Sequence, residues 1–235
     1  MTASFLRCCL TRGAALAALA LPVLASPRQA AAQTDYYNTD RGRPLQIEDA
    51  LATERYAFEL QLAPLRLERT RGGTYNWGIE PEIAYGLLPR TQLEIGVPLA
   101  YVDRPAAQRT FGGAGVEVSL LHNLNVETQT LPALALVADV VLPAGGLGPD
   151  RTYPSVKAIA TRTYSLLRFH ANAQYTFSDR AKDRASAGQG GTAGVVELSR
   201  WTTGIAVDKT LPLRSMLIGA EAFARQPLAP GAAVE

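Results

Sequence analysis

Eleven polar side chains stand at alternate positions inside apolar runs of this 235-residue chain: Glu80, Glu82, Glu94, Glu117, Asp139, Lys157, His170, Asn172, Gln174, Asp208 and Glu221. Together they could line a passage. Seven carboxylates stand against one lysine, a lining that favours cations or neutral solutes over anions. The same residues could equally fill an interior with hydrogen bonds and ion pairs, for instance Lys157 with Asp139 or Glu117. A third chemistry is lipid hydrolysis, with His170 as base and Ser119 or Ser155 as nucleophile. Against it, the chain carries no G-x-S-x-G elbow, so no enzymatic role is expected. The only other histidine is His122, and no H-E-x-x-H pair occurs, so no metal site is expected. Gly112-Gly113-Ala114-Gly115 and Gly145-Gly146 border strands and do not join a strand to a helix, which leaves no phosphate-binding loop and no cofactor to expect.

Such residues need strands to position them. In residues 75–87, Tyr75, Trp77, Ile79, Pro81, Ile83, Tyr85 and Leu87 alternate with Asn76, Gly78, Glu80, Glu82, Ala84 and Gly86. Strict alternation sends successive side chains to opposite faces of a β-strand. The same rhythm recurs, giving nine strands that begin near residues 58, 75, 93, 116, 134, 156, 169, 201 and 216. Each has roughly the 9–11 residues that a tilted strand needs to cross a bilayer. No useful helical periodicity follows the N-terminal segment, so the expected class is all-β.

That segment has the layout of a secretory signal. Arg7 and Arg12 precede an apolar run from Ala14 to Ala25, and Ala30-Ala31-Ala32 precedes Gln33. The run is too short to span a bilayer as a helix. Residues 1–32 are expected to be removed on export. Both cysteines, Cys8 and Cys9, go with them, which excludes a disulfide framework and a cysteine nucleophile in the exported part. So do Arg7, Arg12 and Arg28, leaving 20 basic against 21 acidic residues, a net of −1. The basicity belongs to the targeting segment and argues for no nucleic-acid partner. Residues 33–53 are polar and irregular, a periplasmic lead-in to a domain over 54–235.

The links between strands differ by end. Residues 69–74, 103–110, 143–152 and 178–199 are longer, Gly-rich or charged, while 88–90, 125–131, 165–167 and 210–214 are mostly tight. Long loops at one end and short turns at the other are the pattern of an outer-membrane barrel, where the apolar face meets lipid and the polar face the lumen. Aromatics collect at the ends: Tyr75, Trp77, Tyr101, Phe111, Tyr153, Tyr175, Phe177, Trp201 and Phe223 near the long loops, Phe58, Tyr85 and Phe169 near the short turns. Amphipathic rings favour the headgroup level. The expected architecture is an antiparallel up-and-down transmembrane β-barrel. A soluble periplasmic β-sandwich is the alternative architecture. Pro64, Pro81 and Pro98 fall within strands, where a residue with no N–H to donate implies bulges. Nine is an odd number for a bacterial barrel, and the last residues resemble the opening of another strand. The expectation is a truncated domain with 10–12 strands when complete.

Pro44-Leu45-Gln46-Ile47-Glu48-Asp49-Ala50 leading into Phe58-Glu59-Leu60-Gln61-Leu62, followed by Glu80-Pro81-Glu82-Ile83-Ala84-Tyr85-Gly86-Leu87 and Leu93-Glu94-Ile95-Gly96-Val97-Pro98-Leu99, resembles the outer-membrane transporter family labelled by the meta pathway of phenol degradation. The resemblance covers most of residues 43–225. It implies an exported barrel in the outer membrane, in contact with lipid and the barrel-assembly machinery, taking up small hydrophobic or aromatic molecules.

Overall fold

The computed structural model describes residues 39, 45–62, 66–69, 75–103, 109–178, 198–210, 217–228 and 234. The chain divides into two units, Met1–Tyr36 and Tyr37–Glu235, and every described residue belongs to the second. Residues 1–32, read from the sequence as an export signal, and most of the 178–199 loop lie outside the described residues.

The second unit is all-β and antiparallel. Its strands are β1 (Phe58–Leu62), β2 (Arg66–Arg69), β3 (Tyr75–Ile79), β4 (Pro81–Leu88), β5 (Thr91–Gly96), β6 (Leu99–Asp103) and β7 (Thr110–Gly113). Then follow β8 (Val116–Asn125), β9 (Ala133–Leu142), β10 (Tyr153–Tyr164), β11 (Leu167–Thr176), β12 (Ser199–Thr210) and β13 (Leu217–Pro227). They form a nine-stranded sheet in the order β1-β4-β5-β8-β9-β10-β11-β12-β13 and a four-stranded sheet in the order β2-β3-β6-β7. Among the described residues no ladder joins β1 to β13, so a closed barrel is not formed by these strands alone.

The thirteen strands fall on the nine apolar runs of the sequence. Three of the first four runs are cut in two at one level: between Ile79 and Pro81, at Val97-Pro98 and at Ala114-Gly115. In the first run β1 ends at Leu62 and β2 begins at Arg66, and residues 63–65 lie outside the described set. Proline at 81 and 98 cannot donate to a ladder, and Gly115 takes a left-handed φ of 125°. Backbone bonds stitch this crease, Val97 N–H to Pro81 O at 3.0 Å and Ala114 N–H to Pro98 O at 2.8 Å. The prolines in the sequence thus mark where one sheet gives way to the other.

Short turns join the ladder at one end, with Arg90 and Ser165 in the left-handed region (φ 60° and 57°). At the other end the loop 143–152 folds back, with Leu147 N–H bonded to Gly113 O at 3.0 Å. Leu147, Leu198 and Leu228 pack there against Ala100, Ala114, Val141 and Tyr153.

The two faces of the sheet differ in what they bury. Large apolar side chains are open on one face: Leu60 58 %, Ile83 54 % and Ile205 64 % exposed, with Ile95, Leu136, Val156 and Ile218 between and beyond them. These residues line up across the ladder, Leu60 opposite Ile83 and Ile83 opposite Ile95. The other face buries Glu82, Gln92, Asn123, Ser155, Lys157, Thr161, His170, Asn172, Thr176 and Asp208. Two aromatics depart from the girdle read in the sequence. Tyr153 is buried in the interior cluster at the loop end. Phe223 shares the strand face of Glu221 and sits beside Gly204.

Candidate functional site

The polar face is covered by a single extended segment, residues 45–53. It starts over β13, where the Glu221 carboxylate accepts from Gln46 N–H at 2.6 Å and Ile47 N–H at 3.1 Å. Ile47 then passes over Gly204 of β12; a Cβ there would lie 2.7 Å from Ile47 Cδ1. On β11 the Asn172 amide brackets Glu48, accepting from its N–H at 2.7 Å and donating to its carbonyl at 3.0 Å in the orientation that satisfies both atoms. On β10 the Thr161 hydroxyl accepts from Ala50 N–H at 2.9 Å, and on β8 Asn123 donates to Ala50 O at 2.5 Å. On β5 the Gln92 oxygen accepts from Thr53 N–H at 2.8 Å and Thr53 Oγ1–H at 2.7 Å. The crossing ends over β4, where Gly86 leaves room for the Glu54 carbonyl that any Cβ would overlap.

Between β13 and β4 lie seven strand spacings, roughly 34 Å on a flat sheet. Residues 46–54 reach at most about 28 Å when fully extended. The sheet therefore curls around the segment, polar face inward. This explains how a single sheet buries charged groups that are ordinarily exposed.

Two ionic contacts clamp the segment. Glu48 Oε1 lies 2.6 Å from Lys157 Nζ, and Asp139 stands 3.9 Å from the same nitrogen. Asp49 Oδ2 lies 3.4 Å from Arg168, whose guanidinium also grips Asp208 through two bonds of 2.8 and 2.9 Å. Asp49 further accepts from the N–H groups of Thr39 and Leu51. Burial pushes its pKa up to about 6, against the opposing pull of Arg168 and those bonds. A relay runs beneath: Ala50 N–H to Thr161 Oγ1, the Thr161 hydroxyl to His170 Nδ1 at 3.0 Å, and His170 Nε2–H to Asp208 at 2.8 Å. That tautomer gives every atom of the relay a partner.

Between this segment and the loop-end cluster lies a cavity of about 40 Å³, bordered by Glu48, Glu82, Glu94, Glu117, Ser119, Asp139 and Lys157 among others. Of the eleven residues marked in the sequence, Glu82, Glu94, Glu117, Asp139 and Lys157 border this cavity. Glu80 approaches the same place, its Oε1 within 3.3 Å of where a Gly96 Cβ would stand. His170 and Asp208 form the relay, while Asn172 and Glu221 hold the segment. Gln174 donates to Ser155 at 3.1 Å. All eleven thus belong to one connected interior.

The hydrolase arrangement is not assembled. Both ring nitrogens of His170 are engaged by Thr161 and Asp208, and Ser155 Oγ instead bonds Asp139. Ser155 and Thr161 are six residues apart on β10, roughly 20 Å along a strand. Ser119 borders the cavity. Sequence reasoning missed Glu48, Asp49 and Arg168. Arg168 could have been found, since it lies two residues before His170 on the same face. Glu48 and Asp49 could not, because an irregular segment has no period to read. No protein-family model matches the chain, and no curated protein matches it.

Proposed function

We propose that this chain is an outer-membrane β-barrel that passes small molecules across the bilayer. The observation that carries the reading is the inverted burial: Leu60, Ile83, Ile95, Leu136, Val156 and Ile205 open outward while Lys157, His170 and Asp208 are buried inward. Soluble proteins rarely expose a contiguous apolar face of this extent. A membrane barrel requires it, because its outer band meets lipid and its interior water or polar filling. Exposed aromatics support the same reading at both ends of the strands, Trp77, Phe111, Tyr175 and Phe177 near the loops, Phe58, Tyr85, Tyr164 and Phe169 near the turns. The resemblance to the phenol meta-pathway transporters supports small hydrophobic or aromatic solutes, and the acidic lining of the cavity supports uncharged or cationic ones. Assembly would require the outer-membrane insertion machinery.

The test is fractionation followed by reconstitution. The protein should appear in the outer membrane, leave it only with detergent, and carry small aromatic solutes into liposomes. Recovery as a soluble periplasmic monomer would overturn the reading.

A further inference from the structure

We propose that residues 45–53 are a displaceable strap that closes the short-turn mouth of the passage, and that its release, with the wall unchanged, opens it. This rests on the passage proposed above. The strap crosses the polar face where strands approach their short turns, at Asn123, Thr161 and Glu221. A group crossing the sheet interior from that end would meet it before the acidic cavity.

Its attachment differs in kind from that of the wall. The wall strands are held by long backbone ladders. The bonds that Gln46, Ile47, Ala50 and Thr53 make to the wall run to side chains, and the backbone bridge of Arg55 to Gly86 comes only after them. Removing it breaks no ladder. Immediately after it, Tyr56 takes φ 67°, a backbone conformation unusual for a bulky residue, which turns the chain from the strap into β1. The strap's Glu48 and Asp49 meet Lys157 and Arg168 of the wall, each of which also has a carboxylate of the wall beside it, Asp139 and Asp208. Leu45, Ile47, Ala50 and Ala52 of the strap also pack on small apolar patches of the wall, so its release exchanges a modest apolar area as well as the polar anchors.

The experiment places a reporter on the strap and a tether across it, in the full chain with Cys8→Ser and Cys9→Ser. Ile47→Cys reports release by its labelling rate with a membrane-impermeant maleimide in detergent. Glu48→Ala with Glu221→Ala removes two anchors and should raise that rate roughly tenfold or more, a change that corresponds to 1.4 kcal/mol. Potassium chloride conductance in planar phosphatidylcholine bilayers should rise with it. In a second variant, Glu48→Cys and Lys157→Cys are joined by a cleavable bismaleimide; conductance should fall and return on cleavage. Unchanged labelling in the loosened variant would make the strap fixed filling and overturn the proposal. Conductance indifferent to the tether would overturn it as well. Absence of conductance from every variant, with labelling still responsive, would overturn the passage itself and distinguish that failure from failure of the strap.

Discussion

Asp49 makes the strap pH-dependent in a direction that can be worked out. Seated, its carboxyl titrates at about 6, against an ordinary 3.8 once released into water. It faces Arg168 and His170 of β11 and, through Arg168, Asp208 of β12. Above pH 6 both states are ionised, and seating the strap carries the full cost of burying the charge. As pH falls through 6 the seated form takes up a proton before the released form does, so seating is favoured. The gain is complete below 3.8 and is on the order of 3 kcal/mol, at about 1.4 kcal/mol per pH unit. Between pH 7.5 and pH 4.5 the linkage gives about 2 kcal/mol, roughly a thirtyfold fall in the released fraction. The assay is maleimide labelling of Ile47→Cys after pulses at each pH, corrected for the thiol's own reactivity with a cysteine on an exposed turn. Asp49→Asn carries no titratable group there and should abolish this component. A released fraction that rises on acidification, or an equal response in Asp49→Asn, would refute the assignment.

Three further outcomes follow from the same geometry. Ile83→Lys puts a charge on the outward band and should lower barrel stability by roughly 2–4 kcal/mol at mid-membrane depth, read as lost heat-modifiable mobility on gels. Gly86→Ala drives a Cβ into the Glu54 carbonyl and should cost roughly 1–3 kcal/mol, measured by urea unfolding in detergent. Glu82→Gln with Glu94→Gln should leave the fold intact while reducing cation preference in reversal-potential measurements, since both carboxylates border the cavity.

The strand runs were legible because period two is a local property: Tyr75 to Leu87 states its two faces without reference to anything distant. The facing of Glu82, Lys157, His170 and Asp208 followed from the same alternation. What the sequence could not state was which distant groups meet. Lys157 pairs most closely with Glu48, 109 residues away, where alternation within strands had suggested Asp139 or Glu117. Pro81 and Pro98 read as isolated irregularities along the chain. Only the ladder register places them at one level, where three of the runs are creased together. Its distance along the strand places Tyr153 in a girdle, but its parity with Ser155 and Lys157 turns it inward.

The most direct test of the account is the environment of alternate residues in liposomes. Nitroxide labels at single cysteines replacing Ile83, Ile95, Leu136 and Ile205 should relax with dissolved oxygen and be shielded from a water-soluble nickel chelate. Labels at the neighbouring Glu82 and Glu94 should show low oxygen accessibility. That period-two contrast is what an apolar face in lipid predicts. Equal accessibility at both sets, or nickel accessibility at Ile83 and Ile95, would contradict it.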